Sequence, residues 1–444
     1  METLILEKKD EVYLTVDADP SIQRELSEFF TFYVPGYKFM PAFRNRMWDG
    51  KIRLFNQLTR TLYCGLIHHL ERFCKERDYE LEQPDDFYAD EFSLKEAQEF
   101  VKELNPTMEP RDYQMDAFVY AVRNRRAVML SPTASGKSFI IYLLARWFNL
   151  KTLVVVPTTS LVHQMASDFK SYGYDTDIHK ITAGVDKRTD LPIVITTWQS
   201  IYKMPKQWFS QFGVVIGDEA HLFKAKSLSS IMEKMIDCKY RFGFTGTLDG
   251  TQTHKLVLEG LFGAVRKVIS TAELIEQKHL SNFKIKCVIL KYPDAVCQAM
   301  KNATYQDEMD FLVRNDNRNK FIKNLCLSLE GNTLLLFQFV DKHGQILYDM
   351  IKDNNIPTFF VHGGVEGVER DEIRKIVDGE SKSIIIASYG TFSTGINIRN
   401  LHNIIFASPS KSKIRNLQSI GRSLRKGDNK EEATLFDIAA ATIA

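Results

Sequence analysis

Two kinds of apolar pattern alternate along most of the chain. Between about residues 106 and 270, five short runs are apolar at nearly every position: 127–130, 152–156, 193–197, 214–217 and 241–244. Unbroken apolar runs of this length predict strands of a parallel sheet buried on both faces. The segments between them carry helical periodicity, and residues 139–150 are apolar without Gly or Pro, which predicts a buried helix. From about residue 280 the alternation repeats, with strands predicted at 333–339, 358–361, 383–387, 403–407 and 433–437. Repeated strand–helix alternation predicts an α/β chain with two parallel-sheet lobes of similar size.

The first 90 residues differ in kind. Val12-Tyr13-Leu14-Thr15-Val16 alternates like a strand, and residues 20–32 read as a helix with Ile22, Leu26, Phe29 and Phe30 on one face. Two strand-like runs flank Asp49-Gly50, a hairpin signal. Gln83-Pro84-Asp85-Asp86 reads as a linker. Ser93 and Glu96 then fit a capping box for a helix carrying Leu94, Ala97, Phe100, Val101 and Leu104, which Asn105-Pro106 ends. The expected domains are a small α+β unit over 1–90, a first lobe over 91–275 and a second over 276–444. Residues 307–330 read as a helix packed on the second lobe, with a backbone-tracking role for Arg314, Arg318, Lys320 and Lys323 as the alternative.

The 444 residues, 44% hydrophobic and 26% charged, suit an ordinary globular protein of several domains. A net charge of +2 means that nucleic-acid affinity must come from local patches. One such patch stands out: between Gly36 and Arg60 there are six Lys or Arg and one acid, interleaved with aromatics. Arg44, Arg46, Trp48, Lys51 and Arg53 therefore become candidate DNA contacts, phosphates to the bases and stacking to the rings. The alternative is a small domain with an aromatic core and merely solvated charges. Six cysteines without a Cys-x-x-Cys pair make zinc unexpected and read as core residues of a reduced, cytoplasmic protein. No signal peptide or membrane span is expected, nor a third domain after Phe436-Asp437.

The chemistry centres on Ser131-Pro132-Thr133-Ala134-Ser135-Gly136-Lys137-Ser138, between a predicted strand and a predicted helix. Small residues let backbone N–H groups surround a phosphate at a helix N-terminus. Lys137 adds a full charge, and Ser138 offers a hydroxyl to Mg²⁺. A second anchor, Gly217-Asp218-Glu219-Ala220-His221, puts adjacent carboxylates at a strand's C-terminal end, where α/β sheets bind ligands. Asp218 suits the metal, and Glu219 suits a base for the attacking water.

Together these segments resemble superfamily-two helicases, whose Walker A loop and Asp-Glu-Ala-His box they match. The loop departs from the general pattern at Ser131, where Gly is usual. It has Ala134 where the helicase version has Gly, so the turn there is expected to suit a Cβ. The resemblance implies two RecA-like lobes and an ATP- and Mg²⁺-dependent motor over about residues 106–438. It implies adenine recognition at 109–114 through Arg111 and Gln114, and nucleotide contacts at Gly395 and Asn397. DNA contacts are implied at Thr158, Thr159 and Gln164, at Thr197 and Gln199, and at His362, Gly363 and Thr391. His221, Thr245 and Thr247 match the family's coupling positions. Gln418, Arg422 and Arg425 match its last motif, and the two arginines, three apart, would meet the γ-phosphate only when the lobes close.

The stretches 37–44 and 48–55 are similar to the small domain preceding the motor in UvsW-type phage helicases. That likeness implies action on branched DNA (junction migration, fork regression, unwinding of D-loops and of R-loops with their RNA hybrids) in recombination, repair and replication. It also implies the host cytoplasm. An RNA helicase, a double-strand translocase that never separates strands, and an inactive nucleic-acid scaffold are the rival readings.

Overall fold

The computed structural model describes residues 2–248, 250–391, 398, 400–409, 420–421, 430 and 432–440. The described chain divides into two compact units, with the main break between Ile269 and Ser270.

The first unit is built on a seven-stranded sheet. Its strand order is Val265–Lys267, Arg126–Leu130, Tyr240–Thr245, Val214–Asp218, Thr152–Val156, Ile193–Thr197 and His179–Ile181. Every pairing is parallel. Both faces are covered: Val154, Ile216, Phe242 and helix Lys137–Phe148 lie in one apolar cluster, and Val155, Val215, Phe223 and Phe262 in the other. This double burial is why these strands are apolar at every position. Parallel pairing also collects the strands' C-terminal ends on one edge, so the chain leaving Leu130, Val156, Thr197, Asp218 and Thr245 emerges on the same side.

The N-terminal residues belong to this unit. Their sheet has the order Thr61–Tyr63, Tyr13–Asp17, Thr3–Lys8 and Glu80–Glu82, with antiparallel pairing except between the last two. It packs on helices Pro20–Phe29 and Ile67–Arg77. The capping box at Ser93 and Glu96 forms, and helix Leu94–Leu104 ends at Asn105 in a left-handed conformation.

The second unit carries a six-stranded sheet in the order Asn282–Leu290, Glu432–Ala440, Asn403–Phe406, Thr333–Phe337, Ile384–Ser388 and Thr358–Val361, again wholly parallel. No described helix in the chain is long and apolar enough to cross a membrane.

Several expectations are corrected. The helix from Pro20 stops at Phe29, because Thr31–Tyr33 pairs with Lys51–Arg53. Asp49-Gly50 therefore does not join two runs of a tight hairpin. The residues before it form the helical turns Tyr37–Phe39 and Pro41–Arg44, where Pro41 occupies the first helical position that favours proline. The edge strand Asn282–Leu290 went unpredicted: lysines at 284 and 286 interrupt its apolar residues, and most of its side chains face water. Cys287 lies on it and is exposed, unlike the buried Cys64, Cys74, Cys238 and Cys326. The packing expected for residues 307–330 does form, and Arg318 takes part in it. The arginine is buried and donates to the carbonyls of Ala407 (2.9 Å) and Ile438 (3.1 Å), tying its helix to the sheet.

Candidate functional site

The site lies at the C-terminal edge of the seven-stranded sheet. After Leu130 the chain passes through 131–136 into helix Lys137–Phe148. Gly136 precedes the helix at φ +77°, and a Cβ there would be strained and would stand 2.3 Å from Gln114 Nε2, which would have to move. Ala134 also has a positive φ, 67°. The expectation that this turn suits a Cβ is thus corrected: the alanine sits in the conformation glycine adopts freely, at a cost of about 1 kcal/mol.

Lys137 comes close to two carboxylates. Its Nζ is 3.7 Å from Asp218 Oδ1 and 3.6 Å from Glu219 Oε1. Asp218 closes its strand and is buried; burial pushes its carboxyl up, while the Lys137 charge opposes that shift. Asp218 Oδ1 is buried without a hydrogen-bond partner. The Lys137 ammonium, 3.7 Å away, is the cation that faces this buried oxygen, and a hard divalent ion is the further chemistry such a carboxylate fits. Glu219 then turns the chain at φ +50°, a strained conformation for a side chain of its size. Glu219 Oε2 lies 3.4 Å from His221 Nδ1.

His221 Nδ1 also pairs with Thr245 Oγ1 at 2.9 Å. The Thr245 hydroxyl donates to the Thr247 carbonyl at 2.9 Å. A path of polar contacts therefore runs from Glu219 through His221 to the end of the neighbouring strand. Gln114 accepts from the Arg111 N–H (2.9 Å) and donates to the Gly136 carbonyl (3.4 Å), so the structure brings 111–114 against the phosphate loop. Sequence reasoning missed Tyr172, whose hydroxyl bonds Ser138 Oγ at 2.7 Å. It closes a helix 34 residues further along the chain, and no local pattern pointed to it.

The other predicted residues that are described are divided among the same strand edge, the N-terminal surface and the second unit. Thr158 caps helix Thr159–Ser171 through the Leu161 N–H, and Gln164 is exposed on that helix. Thr197 Oγ1 pairs with Ser200 Oγ at 3.0 Å, and Gln199 is exposed. Arg44, Arg46 and Arg53 are exposed, and Lys51 stands 4.9 Å from the Tyr33 ring centre. Trp48 Nε1 donates to the Lys51 carbonyl at 2.9 Å. In the second unit His362 and Gly363 follow the strand Thr358–Val361, and Thr391 Oγ1 accepts from Ser388 Oγ at 2.8 Å. Gly395, Asn397, Gln418, Arg422 and Arg425 lie outside the described residues.

Three family models match parts of the chain. Residues 107–250 match the family described as type III restriction enzyme, res subunit, and residues 317–427 match the helicase conserved C-terminal domain. Residues 4–83 match the N-terminal domain of DNA helicase UvsW. The ATP-dependent DNA helicase UvsW of enterobacteria phage T4 is 37% identical, covering 96% of this chain and 88% of its own. The crystal structure of T4 UvsW covers 98% of this chain and 90% of its own, at 36% identity with a TM-score of 0.56. The DNA 3'-5' translocase XPB2 of Sulfurisphaera tokodaii is 23% identical, covering 76% of this chain and 82% of its own. With a phosphate loop facing an Asp-Glu-Ala-His turn, and likeness across almost its whole length, the chain belongs to the family of the UvsW DNA helicases.

Proposed function

We propose that this protein is an ATP-driven DNA helicase that remodels branched DNA. The observation that carries the reading is Lys137 held 3.7 and 3.6 Å from Asp218 and Glu219, in a chain related end to end to a phage DNA helicase. ATP occupies the strand edge, with its adenine against Arg111 and Gln114 and its outer phosphates in the loop and at Lys137. Asp218 and Ser138 would hold Mg²⁺, which would supply positive charge to the transferred phosphoryl group. Glu219 orients the attacking water and accepts its proton. His221 and Thr245 carry the state of Glu219 toward the strand end. Sequence pattern assigns Arg422 and Arg425 to the γ-phosphate charge.

DNA is read by the polar residues that follow the strands, Thr158, Thr159, Gln164, Thr197 and Gln199, and by the basic surface at 38–53. The branched-DNA preference rests on the N-terminal match to the UvsW domain. The host cytoplasm is the compartment this reading implies.

The test is a pair of substitutions. Lys137→Ala and Glu219→Gln are expected to lower ATP turnover by at least about 100-fold and abolish strand separation, with DNA affinity retained. Either variant hydrolysing ATP at the parent rate would overturn the assignment of the site.

A further inference from the structure

The surface at 37–49 contains an open cleft of about 640 Å³, lined among others by Lys38, Phe43, Arg44, Arg46, Met47 and Trp48. Its size falls within the roughly 300–1,000 Å³ of small-ligand sites. Its walls are braced. Phe43 meets Tyr37 edge-on at 4.8 Å, and Tyr37 stacks on Tyr33 at 4.7 Å. Trp48 is fixed through its indole N–H to the Lys51 carbonyl. Gly50, at φ +81°, lets Tyr37 lie where a Cβ would be 2.3 Å from the ring. Apolar side chains stay in water beside it: Met47 is 80% exposed and Phe39 83%. Asp49, the acid of this stretch, is paired with Arg53 and accepts the Lys51 N–H, so the cleft keeps its positive character.

Resting on the reading of 38–53 as a DNA-binding surface, we infer that this cleft receives one unpaired nucleotide of single-stranded DNA at a branch point. Phe43 and Trp48 stack on its base, and Lys38, Arg44 and Arg46 hold its phosphates. In a continuous duplex both faces of every base are covered by neighbours, so an aromatic wall finds no free face. At a branch the first unpaired base has one. Charge complementarity selects a nucleic acid over an apolar protein segment. The cleft thereby supplies a preference for branches independent of the motor.

The experiment uses the full chain and a double variant, Phe43→Ala with Met47→Ala. Fluorescence anisotropy at matched salt compares a labelled dT oligonucleotide, a Y-fork and a blunt duplex. Thermal midpoints establish that the variant is folded. The variant is expected to bind the oligonucleotide and the fork about 10-fold more weakly, with duplex affinity changed by less than about twofold. A 2-aminopurine at the first unpaired position of the fork is expected to be quenched by the parent and less strongly by the variant, which keeps Trp48. Equal loss on duplex and fork, or no loss on the fork, overturns the inference. A second variant neutralising Arg44, Arg46, Lys51 and Arg53 separates the two levels. If it weakens binding to all three DNAs while the double variant changes nothing, the cleft is wrong and the DNA-binding surface stands. If it too changes nothing, the surface reading itself falls.

Discussion

At Ser138 two roles compete for one hydroxyl. Its bond to Tyr172 must be given up, or shared, when the hydroxyl faces a metal ion. Tyr172→Phe removes a bond with a net worth of about 1 kcal/mol, so the Mg²⁺ concentration for half-maximal ATP hydrolysis should fall by up to about fivefold. An unchanged Mg²⁺ requirement would mean that Ser138 does not reach the ion. Ala134 gives a second residue-level prediction. Ala134→Gly releases a left-handed alanine and should raise stability by about 0.5–1 kcal/mol in chemical denaturation, and a loss of stability would contradict the strain. Lys137, Asp218 and Glu219 were legible in the sequence because their chemistry is confined to short segments beside apolar strands. Tyr172 and the φ of Ala134 were not: one depends on tertiary contact, the other on a backbone angle that no residue type announces.

Among the elements, the contact of the turn Cys64–Leu66 and helix Ile67–Arg77 with helix Gln252–Phe262 helps hold the N-terminal residues to the first lobe. A Cβ on Gly65 would stand 2.0 Å from the Glu259 carbonyl oxygen, so glycine is what permits this approach. Glu259 is buried there, with Oε2 2.8 Å from His69 Nε2 and Oε1 3.1 Å from the Val265 nitrogen, whose N–H it accepts. Burial alone would raise its carboxyl, yet the contacts with His68 and His69 and the Val265 N–H hold it well below the ordinary range. Because its folded value is depressed, its contribution to stability is complete above the unfolded value near 4.5 and declines as pH falls below that. Glu259→Ala should cost about 1–3 kcal/mol at pH 7 by leaving the Val265 N–H and the His69 ring nitrogen unpaired, and should flatten acid unfolding below pH 4.5. An unchanged acid-unfolding curve would remove Glu259 from this role. None of this contact was visible in the sequence, since its partners lie 190 residues apart. The buried strands were visible for the opposite reason: a strand covered on both faces is apolar at each position, whereas the edge strand Asn282–Leu290 shows only half that signal.

Across the whole molecule, each unit's parallel sheet gathers distant segments onto its own C-terminal edge, and that much followed from strand order and strand ends. The last motif is assigned by pattern alone. Arg422→Ala and Arg425→Ala should each lower kcat by about 10³-fold with little change in KM for ATP, and unchanged turnover in both would remove them from the γ-phosphate. The central claim, an ATP-driven motor engaged by branched DNA, meets its most direct test in steady-state ATP hydrolysis at matched salt. The rates to compare are those with no nucleic acid, single-stranded DNA, duplex DNA, a synthetic four-way junction and single-stranded RNA. The account predicts the greatest stimulation by the junction and little by RNA. Hydrolysis stimulated by RNA alone, or none under any condition, would contradict it.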